Sequence, residues 1–179
     1  MKILAALALG LLAMRSGGAQ EFKFDNWKAW DSFKEGSSVE FEIETSGMKM
    51  TMIKTLDKKE KEEITLKNRT KMKVGDSEID NTTEEKVKKT ESTGGEDVTC
   101  PLCEKPAKDH KDTGKWSDEK VKVGEQEVKC KLYESPEKAC NGETVPKTKI
   151  WYSSDVPGHM VKMETEQMKM TAVKFEVKK

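Results

Sequence analysis

Cys100-Pro101-Leu102-Cys103 is the sharpest chemical motif in the chain, and Cys130 and Cys140 complete a set of four cysteines. A Cys-x-x-Cys pair does redox work when a helix N-terminus lowers one thiol's pKa, so that the thiolate attacks a disulfide. That chemistry wants a strand before the motif and a long helix after it, whereas Pro106 and a charged, glycine-containing stretch follow here. Four thiolates also suit tetrahedral zinc, although the nine residues between Cys130 and Cys140 exceed the usual spacing of roughly two to four. The third reading is a pair of structural disulfides, which an oxidising compartment favours. Four cysteines leave three connectivities open. Cys130 shares parity with Val128 and Leu132 and so points toward a core, while Cys140 follows beside Asn141-Gly142. The expected bridges are therefore Cys130 with Cys140 and Cys100 with Cys103, the first pinning a loop onto the sheet.

Methionine is the second anomaly, with ten in the chain. Met48, Met50 and Met52 share one strand face, and Met160, Met163, Met168 and Met170 gather near His159. Thioethers are soft ligands that suit Cu(I). They are also adaptable fillers of an irregular apolar space, and such a lining accepts an apolar ligand. Catalytic chemistry is poorly served. Only His110 and His159 are present, no Gly-x-Ser-x-Gly elbow occurs, and the acids fall on alternating outward positions. His159, in a Val-Pro-Gly turn, and His110 read as exposed turn residues. Asn68-Arg69-Thr70 and Asn81-Thr82-Thr83 match glycosylation acceptors, which matters only in a eukaryotic secretory pathway.

The first residues bear on compartment. Lys2 supplies a positive start, Ile3 to Met14 supply an apolar run too short to span a bilayer, and Gly17-Gly18-Ala19 places small residues at a cleavage site. Residues 1–19 are expected to be a signal peptide and Gln20 the first mature residue. No cysteine stands where lipid attachment needs one, so a free product in the periplasm or outside the cell is expected, with no transmembrane segment in the mature chain. The whole chain balances 33 basic against 33 acidic residues. Nucleic-acid binding needs a cationic excess on one face, whereas Lys and Glu alternate here, so no nucleic-acid partner is expected. The remaining residues, 20–179, suit one domain.

The elements that would position these groups are strands, preceded by one helix. Asp25 to Glu35 reads as a helix with Asp25 as N-cap, Trp27, Trp30 and Phe33 on one stripe and Gly36 as its stop. Beyond it the chain alternates with period two. Val39, Phe41 and Ile43 oppose Glu40, Glu42 and Glu44, Ser46-Gly47 turns, and the Met48–Met52 strand returns. Ile64, Leu66, Met72 and Val74 share a third strand, with Asn68 and Thr70 as polar interruptions on that face. Ile79 to Lys89, sparse in apolar residues, reads as an edge strand. Residues from about 90 to 115 lose all period and read as an irregular loop. Strands resume around Val121–Val123, Val128–Leu132, Lys147–Tyr152, Met160–Glu166 and Met168–Val177, giving about nine. Met48 to Lys54 and Met168 to Lys174 share five of seven residues. Biased composition can produce such a match; so can equivalent positions in the sheet. The fold expected is mainly β (α+β): a curved antiparallel sheet or half-barrel with the helix in its concave face.

Two stretches carry a resemblance: Asp25 to Val39, with its aromatic helix and Gly36-Ser37-Ser38-Val39, and Val128-Lys129-Cys130 followed by Ile150-Trp151-Tyr152-Ser153-Ser154-Asp155-Val156-Pro157-Gly158-His159-Met160-Val161-Lys162. They resemble uncharacterised bacterial exported proteins expected to adopt the half-barrel of periplasmic lipoprotein carriers. This chain departs from that pattern with His159 in place of a second Gly and with the added Cys100 and Cys103. The resemblance implies the half-barrel, and by analogy of fold a concave face that binds acyl chains. The expected function is exported, non-catalytic binding, without cofactor, of an apolar molecule or an envelope protein. Trp27, Trp30, Phe33, Met48, Met50, Met52, Met168 and Met170 are the expected cavity lining. A metal-binding protein, using the cysteines for zinc or the methionines for copper, and a structural envelope module without a ligand are the alternatives.

Overall fold

Period-two alternation yields strands along nearly all of the described chain. The computed structural model describes residues 25–75, 77–89, 115–135, 138–140, 143–145 and 147–178, of which 74, 138–140 and 143–145 by backbone alone. The expected leader and the irregular stretch carrying Cys100, Cys103 and His110 lie outside the described residues. Among the described residues one helix, α1 (Asn26–Asp31), precedes eleven strands: β1 (Ser38–Thr45), β2 (Met48–Lys59), β3 (Glu63–Val74), β4 (Ser77–Lys88), β5 (Lys115–Val123), β6 (Gln126–Ser135), β7 (Lys138–Cys140), β8 (Glu143–Val145), β9 (Thr148–Tyr152), β10 (Met160–Glu164) and β11 (Met168–Glu176). Nine of them form one curved, unclosed antiparallel sheet in the order β4-β3-β2-β1-β11-β10-β9-β6-β5, and β7 pairs with β8 in a separate two-stranded sheet.

Directly opposed residues in a ladder lie on the same face. Followed from β5 to β4, one row contains Trp116, Tyr133, Ile150, Met163, Met170, Ile43, Met50, Met72 and Ile79, one residue from every strand of the sheet. Its centre is buried, while its ends, Trp116 and Ile79, are 38% and 41% exposed. On the opposite face a second row reads Lys115, Glu134, Lys149, Glu164, Lys169, Glu44 and Lys49, alternating in sign across seven strands. Glu134 meets Lys149 and Glu44 meets Lys49, each at 2.6 Å. These pairs stand in water and add little stability one by one, but together they penalise other registers.

The methionine repeat is explained by this sheet. β2 and β11 flank β1 on its two sides, so that Met48 and Met168 both oppose Thr45, Lys49 and Lys169 oppose Glu44, Met50 and Met170 oppose Ile43, and Thr51 and Thr171 oppose Glu42. The two segments occupy equivalent positions about one central strand.

α1 is shorter than the aromatic spacing predicts. Asp25 caps it as expected, its carboxylate accepting from the Lys28 N–H at 3.0 Å, which is worth about 1 kcal/mol. The helix nevertheless ends at Asp31 rather than Glu35. The Phe33 amide bonds three residues back to the Trp30 carbonyl at 3.0 Å, and the Gly36 amide is drawn to the Leu56 carbonyl of β2 at 2.7 Å, which turns the chain into β1. Gly36 takes φ +84° there, a conformation other residues resist. Trp27, Trp30 and Phe33 are all buried despite the early stop. The helix lies against β3 and β4 on the side of the methionine row.

The connection between β9 and β10 closes over the other side of α1. Val156 and Pro157 are buried, and the Gly158 N–H donates to the Ala29 carbonyl at 3.1 Å. A Cβ on Gly158, which has φ +77°, would sit 2.8 Å from the Trp30 indole. Gly158→Ala is therefore expected to destabilise the protein by about 2–4 kcal/mol, read as a lower urea midpoint; an unchanged midpoint would show that Trp30 does not pack there.

Candidate functional site

The concave face divides into a filled part and an open part. Trp27, Trp30, Phe33, Met50 and Met170 of the expected lining are buried together in the core. Met52 and Met168 are partly buried against it, and Met48 is 38% exposed at the β1–β2 turn. Trp30 and Phe33 thus fill the space beneath the helix. The face remains accessible beyond it, over the ends of β2, β3 and β4, where Met48, Met52, Met72 and Ile79 carry exposed surface. A separate open cleft at the far end of α1 is lined by Trp27, Asp31, Phe33, Lys59, Glu60 and Lys61.

Between the open methionine surface and the helix lies a polar cluster that alternation alone does not reveal. Lys54 of β2, Asn68 of β3 and Glu85 of β4 project from the same face as Met50, Leu66 and Ile79. The Glu85 carboxylate accepts from Lys54 Nζ at 3.3 Å, from Asn68 Nδ2 at 3.1 Å and from Asn26 Nδ2 of α1 at 3.4 Å. The Lys54 side chain is only 16% exposed, so its ammonium depends on Glu85 for a partner. Asn68 Oδ1 and Trp27 Nε1 are buried with no partner among the described residues. An acceptor and a donor left so are points at which a bound molecule gains by hydrogen bonding. Asn68 was visible beforehand as a polar interruption among Ile64, Leu66 and Met72. The Glu85 signal was a carboxylate on the parity of Ile79 and Val87, hidden by the dense charge of β4.

The cysteine expectation is corrected in one part. Cys130 is a free thiol, donating to the Val128 carbonyl at 3.6 Å, so no bridge joins it to Cys140. Cys130 is buried with Val128, Leu132 and Trp151 on the face opposite the methionine row. That part of the sheet is covered on both faces: the β5–β6 turn returns to β11, where a Cβ on Gly124 would lie 3.1 Å from the Val173 carbonyl. Cys140 ends β7, in the separate two-stranded sheet. Burial raises the Cys130 thiol to about 11, which disfavours the thiolate that both zinc ligation and disulfide exchange require. On the same face the Trp151 indole donates to Glu119 at 2.6 Å, and the Lys162 ammonium lies 4.4 Å from its ring centre.

His159 is likewise not the exposed turn residue expected. It is partly buried with its ring 6.0 Å edge-on from Phe33, its Nε2 is buried without a partner among the described residues, and it has φ +56°. Burial holds the imidazole below its ordinary value of 6.5 because a charged ring would lose its hydration. The sign follows from proton uptake. Below about 6.5 the unfolded chain binds a proton that the folded chain resists, so the contribution is complete above that value and is lost as pH falls toward the folded pKa. His159→Asn, which tolerates the positive φ, is expected to lose less stability than the parent between pH 7.5 and 5.5 in urea titrations; equal losses would remove His159 from the account.

No protein-family model matches the chain, and no curated protein matches it. Among solved structures, a Bacteroides fragilis protein inferred to be exported and described as having a YmcC-like fold is similar, with TM-score 0.45 and 10% identity, covering 80% of this chain and 97% of its own.

Proposed function

We propose that this chain is an exported, non-catalytic binding protein, one half-barrel domain over residues 20–179, whose concave face takes an apolar or amphiphilic molecule. The observation that supports this most is the junction of two unlike surfaces on one face. Flexible thioethers and Ile79 stand partly exposed at the ends of β2–β4, and beside them the Lys54–Asn68–Glu85 cluster holds a buried carbonyl with no partner among the described residues. Methionine adapts to chains of varied shape, while a few convergent polar groups fix the orientation of a head. The leader-like residues 1–19 support export, and among the described residues no helix is long and apolar enough to cross a membrane.

The test is native mass spectrometry of protein recovered without detergent from outside the cytoplasm, joined to titration with an environment-sensitive fatty-acid probe. The recovered chain should begin at Gln20, carry a co-purifying amphiphile and bind the probe. Met72→Lys, which places a charge in the open surface, should weaken probe binding at least about tenfold with little change in melting temperature. A consistently empty protein that ignores the probe would refute the reading.

A further inference from the structure

The apolar row stops abruptly at β4. This strand has no described neighbour on its outer side, is twelve residues long and is exposed along most of its length. Charges on an edge commonly prevent strand pairing. Here their order does the reverse, because the strand is complementary to itself when run antiparallel about a two-fold axis through Thr83.

In that register each residue faces one of the same parity on the second copy, as an antiparallel ladder requires. On the inner face Ile79 opposes Val87 and Asn81 opposes Glu85. On the outer face Glu78 opposes Lys88, Asp80 opposes Lys86 and Thr82 opposes Glu84. No like charges meet. Two residues to one side, Asp80 would face Glu84; two residues to the other, Glu84 would face itself. The joined rows also continue the pattern inside the chain. Within it, Met50 opposes Met72, Met72 opposes Ile79, and Val87 opposes Ile64. Across the axis these become one apolar row, Met50-Met72-Ile79 followed by Val87-Ile64 of the second copy, covering the exposed Ile79. On the other face Lys73 opposes Glu78 and Glu63 opposes Lys88, which gives Lys73-Glu78 followed by Lys88-Glu63 of the second copy, alternating in sign as the row across β5 to β2 does.

From this self-complementarity we infer that β4 is an interaction surface for a second copy of the same chain, the two curved sheets joining edge to edge through paired β4 strands. The surface adjoins the open concave face proposed for ligand and shares Ile79 and Glu85 with it, but the pairing is read from mass and from Lys86 and Lys88 on the other face of the strand, which the ligand surface does not include, so failure of one leaves the other standing.

Sedimentation equilibrium of the full chain over a loading series from about 1 µM to 1 mM is the first test. The mass should rise from one chain toward two. Lys86→Glu with Lys88→Glu should weaken that association at least about tenfold, since each substitution acts twice across the axis, while circular dichroism stays that of the parent. Thr83→Cys should form a covalent dimer under mild oxidation, because the two copies of residue 83 face each other within disulfide reach. Thr82→Cys, with the same native cysteines, should do so far less. A mass fixed at one chain throughout the series, a dimer indifferent to the two charge reversals, or equal crosslinking at 82 and 83 would each overturn the inference.

Discussion

The register of the nine-stranded sheet is the constraint on which everything else rests. Side chains alternate across a strand, so a slip of one residue would send the apolar set of that strand to water. A slip of two keeps the faces but parts Ile43 from Met50 and Met170 and Glu44 from its two lysines. Inner-face packing and outer-face charge therefore select the same pairing by independent means. The charge row is weak pair by pair, since its members are solvated, and its effect lies in choosing among registers rather than in deepening the native state.

Upon that sheet the helix is a dependent element. Six residues are too few to be helical alone in water, and α1 persists because its cap, its aromatic face and its surroundings agree. Trp30 packs between the sheet and Gly158, the Gly158 amide bonds the helix backbone at Ala29, and Asn26 reaches Glu85 on β4. Filling by Trp30 and Phe33 stabilises the hollow close to the helix and leaves the ends of β2–β4 open. Stability and accessibility are thus assigned to different parts of one face. The Glu85 cluster lies at their boundary, linking α1, β2 and β3 through a single carboxylate.

Much of this architecture was legible in the residues. The alternation of Val39, Phe41 and Ile43 with glutamates, the Ser46-Gly47 turn and the sparse Ile79–Lys89 segment correctly implied a hairpin and an edge, because each is a local pattern answering to a local geometry. The repeated Met-Lys-Met-Thr segments held more than composition, since both pair with β1. Features set by long-range contact were not legible. Where α1 ends depends on Leu56 capturing Gly36, twenty residues away in the chain. Cys130 is buried in the core as its parity implies, but it projects from the sheet face opposite the methionine row, where the hairpin turn at Gly124 returns to β11. His159 looked like a turn residue and is one, yet the turn is packed against Phe33. Glu85 was one acid among many until the pairing of β3 with β4 turned it inward.

The most direct test of the register is solution NMR on protein labelled at the methionine and isoleucine methyl groups. The structure requires nuclear Overhauser contacts from Ile43 to both Met50 and Met170, from Met163 to Met170 and to Ile150, and from Met50 to Met72, in one unbroken chain of neighbours. Contacts from Ile43 to only one methionine segment, or methionine methyl groups that contact nothing but solvent, would contradict the sheet and, with it, the site built upon it.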